Sequence, residues 1–176
     1  GSCLAAVEDF LGRAGRAEPT LRAFTEIRPD RLRADAHALD ALPTPKRGPL
    51  HGILLAVKEV FDVAGYVCGW GTPIHAGRQP SQDAAMVAKL RAAGALVAGI
   101  TVSTEYALSL AGPTTNPFDS TRTPGASSQG SAAAVGAGLV PAALGSQTIG
   151  SIIRPAAYCG CIGVKLSWGA IDAAGS

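Results

Sequence analysis

Two short apolar runs separated by a helical pattern constrain the fold of this chain more than any other feature. The runs are GILLAVKEVF (52–61) and LVAGIT (96–101), and the amphipathic segment SQDAAMVAKLRAAGA (81–95) lies between them. Continuous apolar strands of about four to eight residues are typical of sheets that are covered on both faces. The order strand, helix, strand therefore favours an α/β layer architecture with a mostly parallel or mixed sheet.

The remainder of the chain continues this alternation of elements. Helical patterns predict further helices over 4–12, 30–41, 103–110, 131–140 and 151–160. Asp30 is the predicted cap of the helix over 30–41, and Ser103 that of the helix over 103–110. Further strands are predicted over 141–148 and 162–167. Between them, residues 112–130 are polar and rich in Gly, Pro, Ser and Thr. A loop this long inside a compact domain is usually functional.

Composition excludes several classes of protein. The net charge is only +2, which is too weak to indicate nucleic acid or an anionic membrane as a partner. No apolar stretch reaches about 18 residues, the length of a membrane span, and the first ten residues lack the basic start of a secretory leader. The four cysteines, at 3, 68, 159 and 161, match no zinc or redox spacing, so we expect free thiols in a reducing cytoplasm.

Familiar catalytic motifs are incomplete in this sequence. None of the three histidines stands beside a serine elbow, and the pattern G-x-S-x-G that starts at Gly125 fails because residue 129 is Gln. No lysine follows a serine at the spacing S-x-x-K, and the loop 125–132 lacks the lysine of a Walker phosphate loop. No cluster of His, Cys and acidic residues predicts a metal site.

What remains is one lysine and two segments rich in small hydroxyl residues. Lys58 ends an apolar run that would desolvate its stem, and desolvation lowers the pKa of a lysine toward the range of a useful base. A solvated lysine and a flexible, helix-capping loop are the alternative interpretation. The hydroxyl residues are Ser127, Ser128 and Ser131 in the first segment and Ser146, Thr148 and Ser151 in the second.

These segments resemble the amidase signature enzymes. The resemblance is carried by GPLHGILLAVKEVFDVAG, DAAMVAKLRAAGALVAGIT and TPGASSQGSAAAVGAGLVPAALGSQTIGSIIRPAAYCGCIGVKLS, and it runs from about residue 20 to the end. It implies an α/β/α sandwich around a mixed sheet, of which this chain would form the N-terminal part. On this basis we expect a single domain over 1–176, with N-terminal helices in 1–45 and the catalytic core in 46–176.

The resemblance also implies a catalytic site. Lys58 matches the family's lysine, Ser127 the serine whose preceding peptide bond is cis, and Ser151 the nucleophile. The backbone amides of Ile149, Gly150 and Ser151 would form the oxyanion hole. The reaction implied is hydrolysis of a carboxamide C–N bond through an acyl-enzyme, which releases ammonia or an amine, and it implies no metal and no cofactor.

Four residues depart from the commonest family pattern. Ala126, Gln129 and Ile149 replace glycines, and the arginine is moved one place, to Arg154. The segment SIIRPAAYCG most resembles the malonamidase-like branch, whose substrates are small and can carry a carboxylate. We therefore expect Arg154, together with Ser128, to bind substrate; a buried ion pair that locks the loop is the alternative for Arg154.

Family enzymes are considerably longer than this chain. We expect either a fragment or a chain whose fold is completed by a homo-oligomer or a complementing chain, acting on a small amide. Two alternatives stay open: the glutaminase-type subunit of an aminoacyl-tRNA amidotransferase, and a catalytically inert fragment that acts as an interaction module.

Overall fold

The computed structural model describes residues 1–108 and 110–176. Within them lie five α-helices and four strands. The helices are α1 (Cys3–Leu21), α2 (Pro29–Asp40), α3 (Ala85–Ala92), α4 (Gln129–Gly136) and α5 (Ile153–Tyr158). The strands are β1 (Phe24–Glu26), β2 (Leu54–Lys58), β3 (Leu96–Thr101) and β4 (Ala142–Leu144).

The four strands form one mixed sheet in the order β1-β3-β2-β4. Strand β1 is antiparallel to β3, and β2 is parallel to both β3 and β4. Every residue of β2 and β3 is buried, as expected for central strands that are covered on both faces. The prediction of an α/β fold around a mixed sheet is confirmed.

Helices cover both faces of this sheet. One core cluster joins Leu54 and Ala56 of β2 to buried residues of α1, α2 and α4. The other joins Val57 of the same strand to Val87 of α3. Because side chains alternate between the faces of a strand, Lys58 lies on the same face as Leu54 and Ala56, where helix α4 begins.

Helix α1 is much longer than the predicted helix over 4–12. Gly12 and Gly15 weaken the helical pattern of the sequence, yet the helix continues because buried Ala14 and Leu21 pack into the core. It ends at Arg22, whose φ of 50° is left-handed. The strand β1 was not predicted, and it places a third element besides α1 and α2 in the first 45 residues.

Three other predicted elements are corrected. Residues 162–167 form no regular element, since none of the described strands pairs with them, and Ile162 and Val164 are exposed. The helix expected from Ser103 is only a 3₁₀ turn over Glu105–Ala107, and Ser109 of that prediction lies outside the described residues. Helix α2 is preceded by Arg28 rather than capped by Asp30, which lies in its first turn.

The strand predicted over 96–101 has the observed bounds, and the other predicted elements are present with shifted bounds. Within the described ranges, no helix combines the length and the apolarity that a membrane span requires.

Candidate active site

Lys58 is the centre of a buried polar cluster at the carboxyl end of β2. Its side chain is fully buried, and its Nζ lies 2.7 Å from Ser127 Oγ, 2.8 Å from Ser146 Oγ and 3.2 Å from Ser128 Oγ. None of the described carboxylates forms an ion pair with it. A buried lysine whose described hydrogen-bond partners are all hydroxyl groups is an unusual arrangement, because a buried charge is normally paired.

Burial changes the chemistry of this amine. Desolvation lowers the pKa of Lys58 to about 7, while the negative charge of the adjacent Glu59 opposes the shift. The physical cause is that the charged ammonium form loses its hydration in the interior. At neutral pH a large fraction of the amine is therefore unprotonated and able to accept a proton from a hydroxyl group.

Ser127 lies in the loop that enters helix α4. Its side chain is buried, and its carbonyl accepts a hydrogen bond from the amide of Thr104, at 3.3 Å. Gly125 shapes the loop with a φ of +117°, and a Cβ there would lie 2.7 Å from Pro155 Cα. The loop therefore packs directly on the start of α5.

The peptide bond before Ser127 differs from the one that the resemblance implies. It is trans, as are all peptide bonds in the described part of the chain, so the prediction of a cis bond is wrong for this structure. The trans isomer is the ordinary one because a cis bond before a residue other than proline costs roughly 3 kcal/mol.

The hydroxyl group of Ser128 is engaged within the protein. It donates to the carbonyl of Ser146 at 3.1 Å, and it accepts from the amide of Ser146 and from Lys58 Nζ, both at 3.2 Å. A Cβ on Gly145 would lie 2.9 Å from this oxygen. Ser128, which we expected to bind substrate, thus holds the segment before Ser151 against α4.

Ser151 lies beside this cluster. Its carbonyl accepts a hydrogen bond from the amide of Ser128 at 3.2 Å, and the residue is half-buried. Within the described ranges its Oγ forms no hydrogen bond to protein. The structure thus brings Lys58, Ser127 and the Ser151 segment to one place, with the Ser151 hydroxyl unengaged.

The backbone around Ser151 presents unused donors. In the described part of the chain, the amides of Ile149, Gly150 and Ser151 donate to no protein acceptor. Gln147 holds the next turn, because its Oε1 accepts from the amides of Ile152 and Ile153 at 2.8 and 2.9 Å. The free amides therefore precede a firmly held turn at the start of α5.

Arg154 lies on the exposed side of this turn. Its side chain is exposed, and it forms no ion pair with a described residue. A Cβ on Gly150 would lie 2.7 Å from Arg154 Nε, so the guanidinium stem packs along the segment of free amides. The alternative that Arg154 locks the loop by a buried ion pair is therefore wrong.

Sequence reasoning assigned no role to two residues of this site. Ser146 stood among the hydroxyl residues of the second segment, but its contact with Lys58 depends on the pairing of β4 with β2. No sequence pattern pointed to Gln147. Its side chain accepts a hydrogen bond from the amide of Ile152, five residues further on, and such a contact can be recognised only in the folded structure.

Comparisons with known proteins agree on the family. The Amidase family model matches residues 5–176. The chain is 43% identical over 173 residues to a glutamyl-tRNA(Gln) amidotransferase subunit of Chloroflexus aurantiacus, an alignment that covers 94% of this chain and 36% of that protein. The chain thus spans a little over a third of the length of this curated relative.

Solved structures give the same result. The crystal structure of a glutamyl-tRNA(Gln) amidotransferase subunit from Thermotoga maritima superposes with a TM-score of 0.84 at 34% identity, covering 98% of this chain and 37% of that one. Native peptide amidase from Stenotrophomonas maltophilia superposes with a TM-score of 0.83 at 36% identity, covering 89% and 35%. The chain belongs to the amidase signature family, and its fold corresponds to the N-terminal part of the family fold.

Proposed function

We propose that this chain carries the acyl-transfer centre of an enzyme that hydrolyses the C–N bond of a carboxamide. Ser151 is the nucleophile, Ser127 passes on its proton, and Lys58 is the base. The observation that carries the proposal is the buried Lys58 amine, paired with no described carboxylate, whose pKa is lowered to about 7 and whose Nζ lies 2.7 Å from Ser127 Oγ.

The proposed reaction starts from neutral Lys58. Lys58 Nζ accepts the proton of Ser127, Ser127 accepts that of Ser151, and Ser151 Oγ bonds to the substrate carbonyl carbon. The resulting Lys58 ammonium returns a proton through Ser127 to the departing nitrogen as the C–N bond breaks. Water, activated by the same relay, then cleaves the ester and releases the acid.

The amides of Ile149, Gly150 and Ser151 are proposed to stabilise the oxyanion of the tetrahedral intermediate. The proposal is supported by their lack of protein acceptors in the described ranges and by the turn that Gln147 holds beside them. Backbone donors that are aimed before the reaction starts cost no reorganisation when charge develops on the carbonyl oxygen.

Arg154 is proposed to bind a carboxylate on the substrate. The support is its exposed guanidinium, unpaired with any described residue, beside the free amides. A bidentate pair with a carboxylate would use the planar fork of this side chain. The assignment favours small amides that carry an acid group, as in the malonamidase-like branch.

A second candidate is the glutaminase-type subunit of an aminoacyl-tRNA amidotransferase. The observation that favours it is the 43% identity to an amidotransferase subunit from Chloroflexus aurantiacus. Under this proposal the same centre releases ammonia from glutamine for use by complementing chains.

The test is covalent labelling of Ser151 with a fluorophosphonate, measured by intact mass. We expect one adduct on the wild-type chain and none on the variant Ser151→Ala, with the exposed Ser120→Ala as the matched control that labels normally. Folded wild-type protein that stays unlabelled would favour the inert interaction module. Ammonia release from glutamine, compared with release from small carboxylate-bearing amides, separates the two enzyme candidates.

A further inference from the structure

Three potential metal ligands from distant parts of the sequence meet at the end of β2 opposite the candidate active site. They are Cys3 at the start of α1, Asp40 at the end of α2 and His51 in the turn before β2. Cys3 Sγ lies 3.5 Å from His51 Nε2, and one ligand atom of each residue lies within 4.8 Å of the other two.

The surrounding backbone leaves room for this cluster. Gly52 has a φ of +78°, and a Cβ there would lie 2.8 Å from Cys3 Sγ. Any other residue at this position would therefore push into the thiol as well as strain the backbone. The thiol occupies space that only a glycine provides.

Asp40 is held in place and charged. Its Oδ1 accepts from the amide of Cys3 at 2.7 Å, and its Oδ2 accepts from the amide of Leu4 at 3.0 Å. Each carboxylate oxygen keeps a second lone pair, so that Asp40 can cap α1 and still bind a cation.

His51 is incompletely satisfied by the protein alone. Its Nδ1 is buried and has no hydrogen-bond partner in the described part of the chain, and its Nε2 contacts the thiol of Cys3, which is a weak hydrogen-bonding group. Burial and the neighbouring Asp40 raise the pKa of the Cys3 thiol, and the charge of Arg47 opposes this shift. The Nε of Arg47 donates to the carbonyl of Leu42 at 3.0 Å.

The spacing suits a tetrahedral ion. Zinc binds sulfur at about 2.3 Å and imidazole nitrogen at about 2.0 Å, and tetrahedral angles between bonds of those lengths separate the two atoms by roughly 3.5 Å. The observed distance of 3.5 Å between Cys3 Sγ and His51 Nε2 matches this separation. A thiolate and a carboxylate would also neutralise the charge of a divalent ion.

We propose that Cys3, Asp40 and His51 form a zinc site, with water as the fourth ligand. Binding breaks the S–H bond of Cys3, releases its proton to solvent and forms the sulfur–zinc bond, without a change of oxidation state. The site links α1 and α2 to the turn that precedes β2. Strand β2 separates it from Lys58, since five extended residues span about 17 Å, so the site is independent of the proposed hydrolysis.

The test measures zinc stoichiometry and affinity on chelator-treated protein, by competition with a chromogenic chelator. We expect one zinc per chain, and cobalt in its place should show thiolate-to-metal charge-transfer absorption. Cys3→Ser and His51→Gln should each weaken binding by more than about tenfold. Serine fits the space beside Gly52, and the half-buried His51 provides a second variant should Cys3→Ser not fold.

The matched controls are Cys161→Ser and His75→Gln, which lie outside the cluster and should keep wild-type affinity. Loss of zinc in Cys161→Ser would assign the ion to the Cys159–Cys161 pair and overturn the proposal. Absence of stoichiometric binding in the wild type would also overturn it and leave a hydrogen-bonded Cys–His–Asp contact. Fluorophosphonate labelling of Ser151 should be equal with and without zinc, which keeps this test separate from that of the proposed function.

Discussion

The two ends of strand β2 carry two polar clusters built on opposite principles. At the carboxyl end, the described hydrogen-bond partners of Lys58 are all hydroxyl groups, and burial lowers its pKa to about 7. At the amino end, His51 meets a thiol close to the ionised Asp40. The first cluster favours loss of a proton from its cation, whereas the second favours the binding of a cation.

The difference shows how the position of a polar residue along a strand changes its exposure to water and therefore its chemistry. Lys58 lies within the sheet, where two helical layers exclude water, whereas His51 lies in the turn before the strand and is half-buried. At Lys58 the loss of hydration outweighs the opposing charge of Glu59 and lowers the pKa into the range of a base. Placing a carboxylate beside a thiol and an imidazole near the protein surface favours the cation binding that we propose at the amino end.

The largest expected effect is at Ser151. Ser151→Ala should lower ammonia release from small amides on the order of 10⁴-fold or more, because it removes the nucleophile. Amide turnover is measured together with circular dichroism to show that the fold persists. Retained turnover in a folded variant would refute the assignment.

Lys58 should set the pH dependence at the carboxyl end. The base must be unprotonated, so the acylation rate should rise with pH through about 7 and then level off. Lys58→Met keeps the apolar stem and should lower the rate by about 10²–10⁴-fold. Labelling rates between pH 5 and 9 provide the measurement, and an unchanged profile in Lys58→Met would contradict the role.

Arg154 should affect only substrates that carry a carboxylate. Arg154→Ala removes a charge-assisted pair of about 1.5–3 kcal/mol, so KM for such amides should rise by about tenfold to a hundredfold. A neutral amide of the same size is the control and should be unaffected. Equal effects on both substrates would mean that the arginine shapes the loop instead.

Replacing His51 tests whether the two clusters are independent of each other. His51→Gln should weaken zinc binding by more than about tenfold and leave the rate of Ser151 labelling unchanged, because β2 separates the two sites. A parallel loss of labelling would show that the clusters are coupled through the strand. Zinc competition and intact mass on the same sample give both readouts.

Replacing Gln147 should produce the smallest change in the acylation rate. Gln147→Ala removes two hydrogen bonds to the amides of Ile152 and Ile153, each worth about 1 kcal/mol. We expect a severalfold fall in the acylation rate with no change in its pH profile, since Lys58 is untouched. Gln147→Glu keeps the acceptor and should restore most of the rate.

Much of the carboxyl-end cluster was predictable from sequence. The strand over 96–101 was predicted with its observed bounds, and the segments around Lys58, Ser127 and Ser151 were identified by their ordered resemblance to one family. Sequence patterns predicted the structure correctly where a strand is buried along its whole length and where a single chain segment contains a complete motif.

Other features depended on contacts that sequence patterns do not contain. Helix α1 continues past Gly12 because of its packing. Residues 162–167 form no strand, since none of the described strands pairs with them. The engaged hydroxyl of Ser128 also depends on the surrounding structure. In each case, contacts with residues distant in the sequence determined the local structure.

The sequence by itself determined the family, the alternation of strands and helices, and the identity of the hydroxyl residues that accompany Lys58. The tertiary structure decided the pKa of Lys58, because only packing removes water from the amine. It also decided that Cys3, Asp40 and His51 meet, since residues up to 48 positions apart share no periodicity and are brought together by the folding of α1 and α2 against the sheet.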